Sequence, residues 1–486
     1  MESPTPLMSE RFSSGDEHLD AVLGGGLPAN ALNMIIGLPG SGKTILAEQF
    51  MFHNASPQRP GVYLSTVSEP LDKILRYGQG LDFFDAGTIG TSVFFDDLGQ
   101  TLNNGGLDAV LAHIRTFITE RRPGVIAIDS FKALSAYGEN PQAFRQFLHG
   151  LAGILTALPT TAFWVGEYGP AEIASAPEFA VADGIIALTT RREAERAIRH
   201  LEVLKLRGTG FMSGEHAYRI AHDGLHVFPR LAERLPVEPH ELQSERMSSG
   251  IPAIDEMLAD GYWPGASTMV AGPSGSGKTL MGLHFIFNGA AAGQPGIIAT
   301  LQENRIQLDR IVKGFGWSLA NEDVELMYRS PVDLYLDEWF YELLEVIDRT
   351  RARRVFIDSL GDLRRSAVDE LRFREYLYSL LQRCTNQQVS VMMSQETPGP
   401  FGIARLSEGD ISHLSDNVIL LQFVPRDAQL HRSVTVLKTR ASRHSPDVRE
   451  FKITATGIVL GEPLSDSTTT HAHSCAGSPS DIPAAR

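Results

Sequence analysis

One eight-residue pattern, present twice, constrains this chain more than anything else in it. Gly37-Leu38-Pro39-Gly40-Ser41-Gly42-Lys43-Thr44 follows an apolar run at 32–36 and precedes a helix-forming stretch at 45–50. Gly272-Pro273-Ser274-Gly275-Ser276-Gly277-Lys278-Thr279 stands in the same way between 267–271 and 280–287. Strand, glycine-rich turn and helix form the setting in which backbone N–H groups close around phosphate oxygens, because no Cβ obstructs the approach. Lys43 and Lys278 can reach the β- and γ-phosphates, and the Thr44 and Thr279 hydroxyls suit Mg²⁺. The helix N-terminus adds its positive end to the same anion. Both stretches therefore read as P-loops for ATP with Mg²⁺.

The two loops belong to a longer repeat. Gly37 to Gly272 is a step of 235 residues, and so is Gly15 to Gly250 in Ser13-Ser14-Gly15-Asp16 and Ser248-Ser249-Gly250-Ile251. One offset shared by two features signals a duplicated domain. Apolar runs ending in Asp129-Ser130 and Asp358-Ser359 follow. Each reads as a buried parallel strand with an acid at its C-terminal end, either a helix cap or, after a P-loop, a group that holds Mg²⁺ through water. A third pair is Lys205-Leu206-Arg207 and Lys438-Thr439-Arg440. Alternation puts both cations of each on one strand face, as a charged edge strand or as a cationic finger aimed at a neighbour's nucleotide.

A chain of 486 residues exceeds what one core serves. The divisions expected are a disordered start at 1–9, a first domain at 10–230, a charged linker at 231–246, a second domain at 247–463 and a disordered tail at 464–486. Strands alternate with helices in each domain, with helices expected near 107–120, 143–158, 337–349 and 370–384, so the fold class is α/β with mainly parallel central sheets. A net charge of −15 excludes a uniformly basic nucleic-acid surface. No apolar run reaches the length of a membrane span. Two cysteines, Cys384 and Cys475, make neither a disulfide framework nor a zinc site, which fits a reducing cytoplasm.

These motifs in this order resemble the KaiC-type circadian-clock ATPases of the RecA-like superfamily, over about 11–461. The resemblance is closest at Glu202–Gly208 with Met212-Ser213-Gly214-Glu215, and at Ser415-Asp416-Asn417-Val418-Ile419-Leu420-Leu421-Gln422. It implies two tandem RecA-like P-loop NTPase domains, a homohexamer of two stacked rings and ATP at subunit interfaces. It implies that Lys205, Arg207, Lys438 and Arg440 act in trans on a neighbour's γ-phosphate, where a cation stabilises developing charge. It also implies signalling partners and a Ser/Thr autokinase activity in the second domain.

Departures bear on the chemistry. The family carries two adjacent glutamates after the strand that follows the P-loop helix, one of which orients or deprotonates the attacking water. The first domain reads Thr66-Val67-Ser68-Glu69, so its acid, Glu69, comes one place late. The second reads Leu301-Gln302-Glu303, leaving Glu303 alone. Binding is expected in both domains, with hydrolysis slower than a paired-acid site gives. At the family's Ser-Thr phosphorylation pair stand Ser412 and His413, and Ser412 reads equally as a turn or cap residue. A RecA-like DNA-dependent ATPase and a nucleotide-gated scaffold with little turnover are the alternative functions.

Overall fold

The computed structural model describes residues 10–66, 71–193, 196–231, 245–332, 334–367, 369–397, 413–426, 428–440 and 442–464. Glu69, Ser412, the tail from 465 and most of the linker lie outside them. The chain divides into two compact units between Arg230 and Leu231.

The first unit is built on a nine-stranded sheet. Across it run Gly224–Phe228, Glu215–Ala221, Arg196–Leu206, Gly184–Glu193, Leu32–Gly37, Thr161–Gly166, Val125–Asp129, Gly61–Ser65 and Val93–Asp97. The six from Gly184–Glu193 to Val93–Asp97 are parallel, and the other three add antiparallel to one side. Val125–Asp129 and Thr161–Gly166 are nearly continuous runs of buried apolar residues, as strands covered on both faces must be. One layer of core packs Val110, Ile114 and Ile118 with Phe147 and Leu151; the other packs Leu46, Phe50 and Met51 against Ile35 and Phe163.

The second unit repeats the plan. Its sheet runs Val324–Tyr328, Gly296–Thr300, Arg354–Asp358, Ser390–Glu396, Ser267–Gly272, Asn417–Arg426, Gln429–Thr439, Arg449–Thr454 and Gly457–Pro463. The first six are parallel and the last three antiparallel. The two mainly parallel sheets with flanking helices agree with the fold class expected from sequence. Among the described residues no helix is long and apolar enough to cross a membrane.

The four helices expected from sequence form, at Gly99–Arg121, Pro141–Thr156, Leu336–Thr350 and Glu370–Asn386. The first begins earlier than its apolar periodicity indicated. A break at Gly106, with φ 62°, separates a leading segment from the amphipathic part that starts at Leu107.

A matched pin joins each P-loop helix to the antiparallel hairpin beside it. In the first unit Gln49, on the helix Lys43–Asn54, accepts from the Leu225 N–H at 2.8 Å. In the second, His284 on Lys278–Ala291 accepts from the Ile458 N–H at 3.1 Å. Gly457 makes that approach possible: its φ is +112°, and a Cβ there would lie 2.2 Å from His284 Nε2. Only a neutral imidazole nitrogen can accept, and burial lowers the His284 pKa to about 4. The unfolded chain takes up this proton below about 6.5, the folded chain only below about 4. Stability contributed by a neutral His284 is therefore present at neutral pH and lost as pH falls from about 6.5 towards 4, by up to about 3 kcal/mol. Amide-exchange protection of Ile458 should fall over that interval while that of Leu225 does not, and His284→Gln should remove the difference.

Candidate nucleotide sites

Each P-loop leaves the C-terminal end of a central parallel strand and enters a helix, where α/β sheets bind ligands. Gly42 and Gly277, at φ 88° and 109°, turn the chain into the helix; a Cβ on Gly42 would sit 2.6 Å from Ile220 Cδ1. Gly40 and Gly275 form an open rim, with nothing within 4 Å of a Cβ built on either.

Lys43 Nζ donates to the Leu38 carbonyl at 2.9 Å, and Lys278 Nζ to the Gly272 and Pro273 carbonyls, each at 2.9 Å. Burial lowers both lysine pKa values, and nearby carboxylates partly restore them. Thr44 Oγ1 donates to Asp129 Oδ2 at 2.7 Å, and Thr279 Oγ1 to Asp358 Oδ2 at 2.7 Å. The sequence-predicted lysine, threonine and aspartate thus meet in each unit. The aspartates are not helix caps: Ser359 caps the helix Leu360–Ser366 in the second unit.

The aspartates are held differently. In the first unit Tyr63 OH also donates to Asp129 Oδ2, at 2.7 Å. Burial, then Asp129 and the buried Glu48, keep that phenol far above its ordinary pKa. In the second unit Ser394 donates to the other oxygen, Asp358 Oδ1. Asp358 is 2 % exposed, and burial raises its pKa against the lowering effect of Ser394 and Thr279.

Hydroxyl and carboxylate oxygens are the donors a small hard dication takes, and Thr44 with Asp129, or Thr279 with Asp358, would hold Mg²⁺. Among the described residues no cluster of three or more His, Cys, Asp or Glu could make an all-protein metal cage. That fits an ion that keeps waters and phosphate oxygens as its other ligands.

Glu303 lies beside the second site. Its N–H donates to Thr300 Oγ1 at 3.3 Å, and its Oε2 is buried without a hydrogen-bond partner. Burial raises its pKa, and Asp358 raises it further. Gln302 is drawn elsewhere: Nε2 donates to Asp362 Oδ2 at 2.6 Å and to Ser359 Oγ at 3.2 Å. In the first unit Ser65 pairs with Asp129 as Thr300 pairs with Asp358. Position 68, a serine, is therefore the counterpart of Glu303, and Glu69 falls one residue beyond it.

The paired cations sit elsewhere. Arg207 N donates to Asp183 O, and Asp183 N to Leu32 O, so Lys205 and Arg207 lie at the start of the strand whose end carries the P-loop. Arg440 N to Asp416 O and Asp416 N to Ser267 O repeat the arrangement. The strands between are about 17 Å long. No cation of either pair reaches the P-loop of its own unit. Lys205 Nζ donates to Phe179 O at 3.2 Å, and Lys438 Nζ to Ser415 O at 2.7 Å. Arg440 Nη2 donates to His413 O at 2.6 Å. Each lysine stands beside a bulge, where the pairing of the partner strand slips between Ile185 and Ile186 in the first unit and between Val418 and Ile419 in the second. A bulge re-aims the side chains next to it.

Sequence reasoning passed over groups that reach the loops from the hairpins. Arg432 Nε donates to Gly275 O at 3.2 Å. Arg199 holds the same place in the first unit, and Tyr218 donates to Ser41 O at 2.5 Å. Their signal was one arginine per hairpin at matched register, visible only once strands are paired.

The geometry defines a chain of two RecA-like P-loop nucleotide-binding units. A family model described as an ATPase, KaiC, matches residues 12–232 and again 247–465. The chain is 30 % identical over 477 residues to the circadian clock protein KaiC3 of Synechocystis sp., covering 94 % of this chain and 93 % of that protein. It is 28 % identical over 483 residues to the circadian clock oscillator protein KaiC of Rippkaea orientalis, covering 96 % and 91 %. It is also 28 % identical over 459 residues to that of Synechococcus elongatus, covering 91 % and 87 %. The chain belongs to the KaiC family of ATPases.

Tyr63 and Ser394 would orient the metal-side aspartates rather than touch nucleotide. Tyr63→Phe and Ser394→Ala should each raise the Mg²⁺ concentration needed for half-maximal phosphate release or metal-dependent nucleotide retention, by roughly tenfold at the altered site. Metal-free nucleotide binding should be unchanged, as titrations with and without chelator will measure.

Proposed function

We propose that the protein binds Mg·ATP in both units and hydrolyses it as a ring-forming regulatory ATPase, with the second unit the faster. The observation that carries this reading is the lysine, threonine and aspartate assembled beside each glycine-rich turn, at the same place in both units. Gly37 to Thr44 and Gly272 to Thr279 cradle the phosphates, and Lys43 and Lys278 draw on the β- and γ-oxygens. Mg²⁺, when bound, neutralises charge on those oxygens. Glu303 accepts the proton of the attacking water; its raised pKa matches a base that must take up a proton near neutrality. Glu69 serves the first unit from one residue further along, with poorer reach.

Lys205, Arg207, Lys438 and Arg440 complete a neighbouring subunit's site, stabilising charge on the transferring phosphoryl group. Their position far from their own P-loops supports a role in trans, and with the family membership supports a homohexamer. Signalling proteins would read the ring's nucleotide state. Ser412 is the acceptor of an autokinase activity in the second unit.

Glu303→Gln should lower steady-state phosphate release by about a hundredfold or more, and Glu69→Gln by much less. Because the Glu303 pKa is raised, the wild-type rate should fall on acidification at a higher pH than an ordinary carboxylate would give, and the residual rate of Glu303→Gln should lack that limb. Equal rates in all three proteins would remove both acids from the mechanism. A size measurement with and without Mg·ATP should show nucleotide-dependent assembly, impaired by Arg207→Ala and Arg440→Ala.

Autophosphorylation has its own test. Intact mass after incubation with Mg·ATP should show one added phosphate, absent in Ser412→Ala; no added mass in the wild type would dismiss the kinase.

A further inference from the structure

A second matched acid stands beside each P-loop lysine, and the chemistry above does not use it. The strand Thr161–Gly166 lies directly against the P-loop strand, with Ile36 opposite Gly166, so Glu167 emerges next to Gly37. In the second unit Glu396 is itself opposite Gly272. Register shows these to be one position: Asp129 pairs with Val165, and Ile357 with Met393, so each glutamate follows two residues after the neighbour of its metal-side aspartate.

Glu167 Oε1 lies 3.9 Å from Lys43 Nζ, the lysine side chain 9 % and the glutamate side chain 53 % exposed. Glu396 is the charge that most favours protonated Lys278, ahead of Asp358. In both units the lysine is folded back on carbonyls of its own loop, with the glutamate on hand as its anionic partner.

A P-loop lysine serves the β- and γ-phosphates. A triphosphate therefore brings a second anion to an ammonium that already has one, and sets that anion near the carboxylate. A diphosphate ends one phosphoryl group short. The electrostatic cost of the glutamate falls on the triphosphate much more than on the diphosphate.

We propose that Glu167 and Glu396 compete with the γ-phosphate for the P-loop lysine and so set each site's preference between nucleoside triphosphate and diphosphate. When phosphate leaves, the carboxylate takes back the lysine. The inference rests on the reading that both P-loops bind adenine nucleotide. It assigns the glutamates a selecting role, distinct from that of a water-activating base.

The test uses the full chain with Mg²⁺ and competition titrations of ADP and a non-hydrolysable ATP analogue, in wild type, Glu167→Gln, Glu396→Gln and the double variant. Preference for the triphosphate should rise roughly three- to tenfold at each altered site, the size expected of a half-exposed charge pair. ADP affinity should stay within about twofold, which also reports that the variants are folded. Glu167→Asp and Glu396→Asp, which keep the charge, should lie near wild type. An unchanged preference overturns the inference and leaves the P-loop reading standing. A fall in phosphate release at unchanged preference also overturns it, because the acid would then act on water. Wild-type protein that retains neither nucleotide overturns the P-loop reading, and this inference with it.

Discussion

A threonine hydroxyl held against an aspartate is the contact on which both sites depend. It joins the first turn of a helix to the end of a strand two places away in the sheet, through Thr44 with Asp129 and Thr279 with Asp358. The parallel order of the strands makes it possible, because every strand then delivers its C-terminal residue to the same edge. Glycine-rich turn, acid and lysine converge there although they are far apart in sequence. Burial gives the contact its electrostatic weight: Asp358 and Glu303 are both pushed towards their protonated forms, so protons and metal compete for the same oxygens.

Much of this was legible in the chain. The two P-loops and the two Asp-Ser strands announce themselves because glycine, lysine and an acid at an apolar strand's end each have a local physical reason. The constant step of 235 residues then fixed their correspondence. Other features depend on pairing between strands and leave no local mark. The bulges beside Lys205 and Lys438 come from a slip of register. Arg432 and Tyr218 touch the loops only because a hairpin folds over them. Glu167 and Glu396 are 229 residues apart, not 235, so a search at constant offset passes over them.

The two units share a plan and differ where chemistry is tuned. Tyr63 steadies one aspartate and Ser394 the other; Gln49 pins one hairpin and His284 the other. A phenol in a sealed apolar layer and a small hydroxyl at a strand end are unequal ways to hold a carboxylate. An amide and an imidazole are equally unequal acceptors, since only one can gain a proton. Duplication preserved the sheet, and substitution at a few buried positions then gave each copy its own response to metal and acid.

The position of the lysine and arginine pairs has a geometric consequence. They occupy one edge of each sheet and the glycine-rich turn occupies the other, about 17 Å away. Any contact that unites them joins unlike surfaces, so it cannot satisfy itself in a twofold dimer. Each added copy presents the same open end as the last, and the series stops only when its rotation closes the circle. A small error in that rotation would turn a finite particle into a helical fibre.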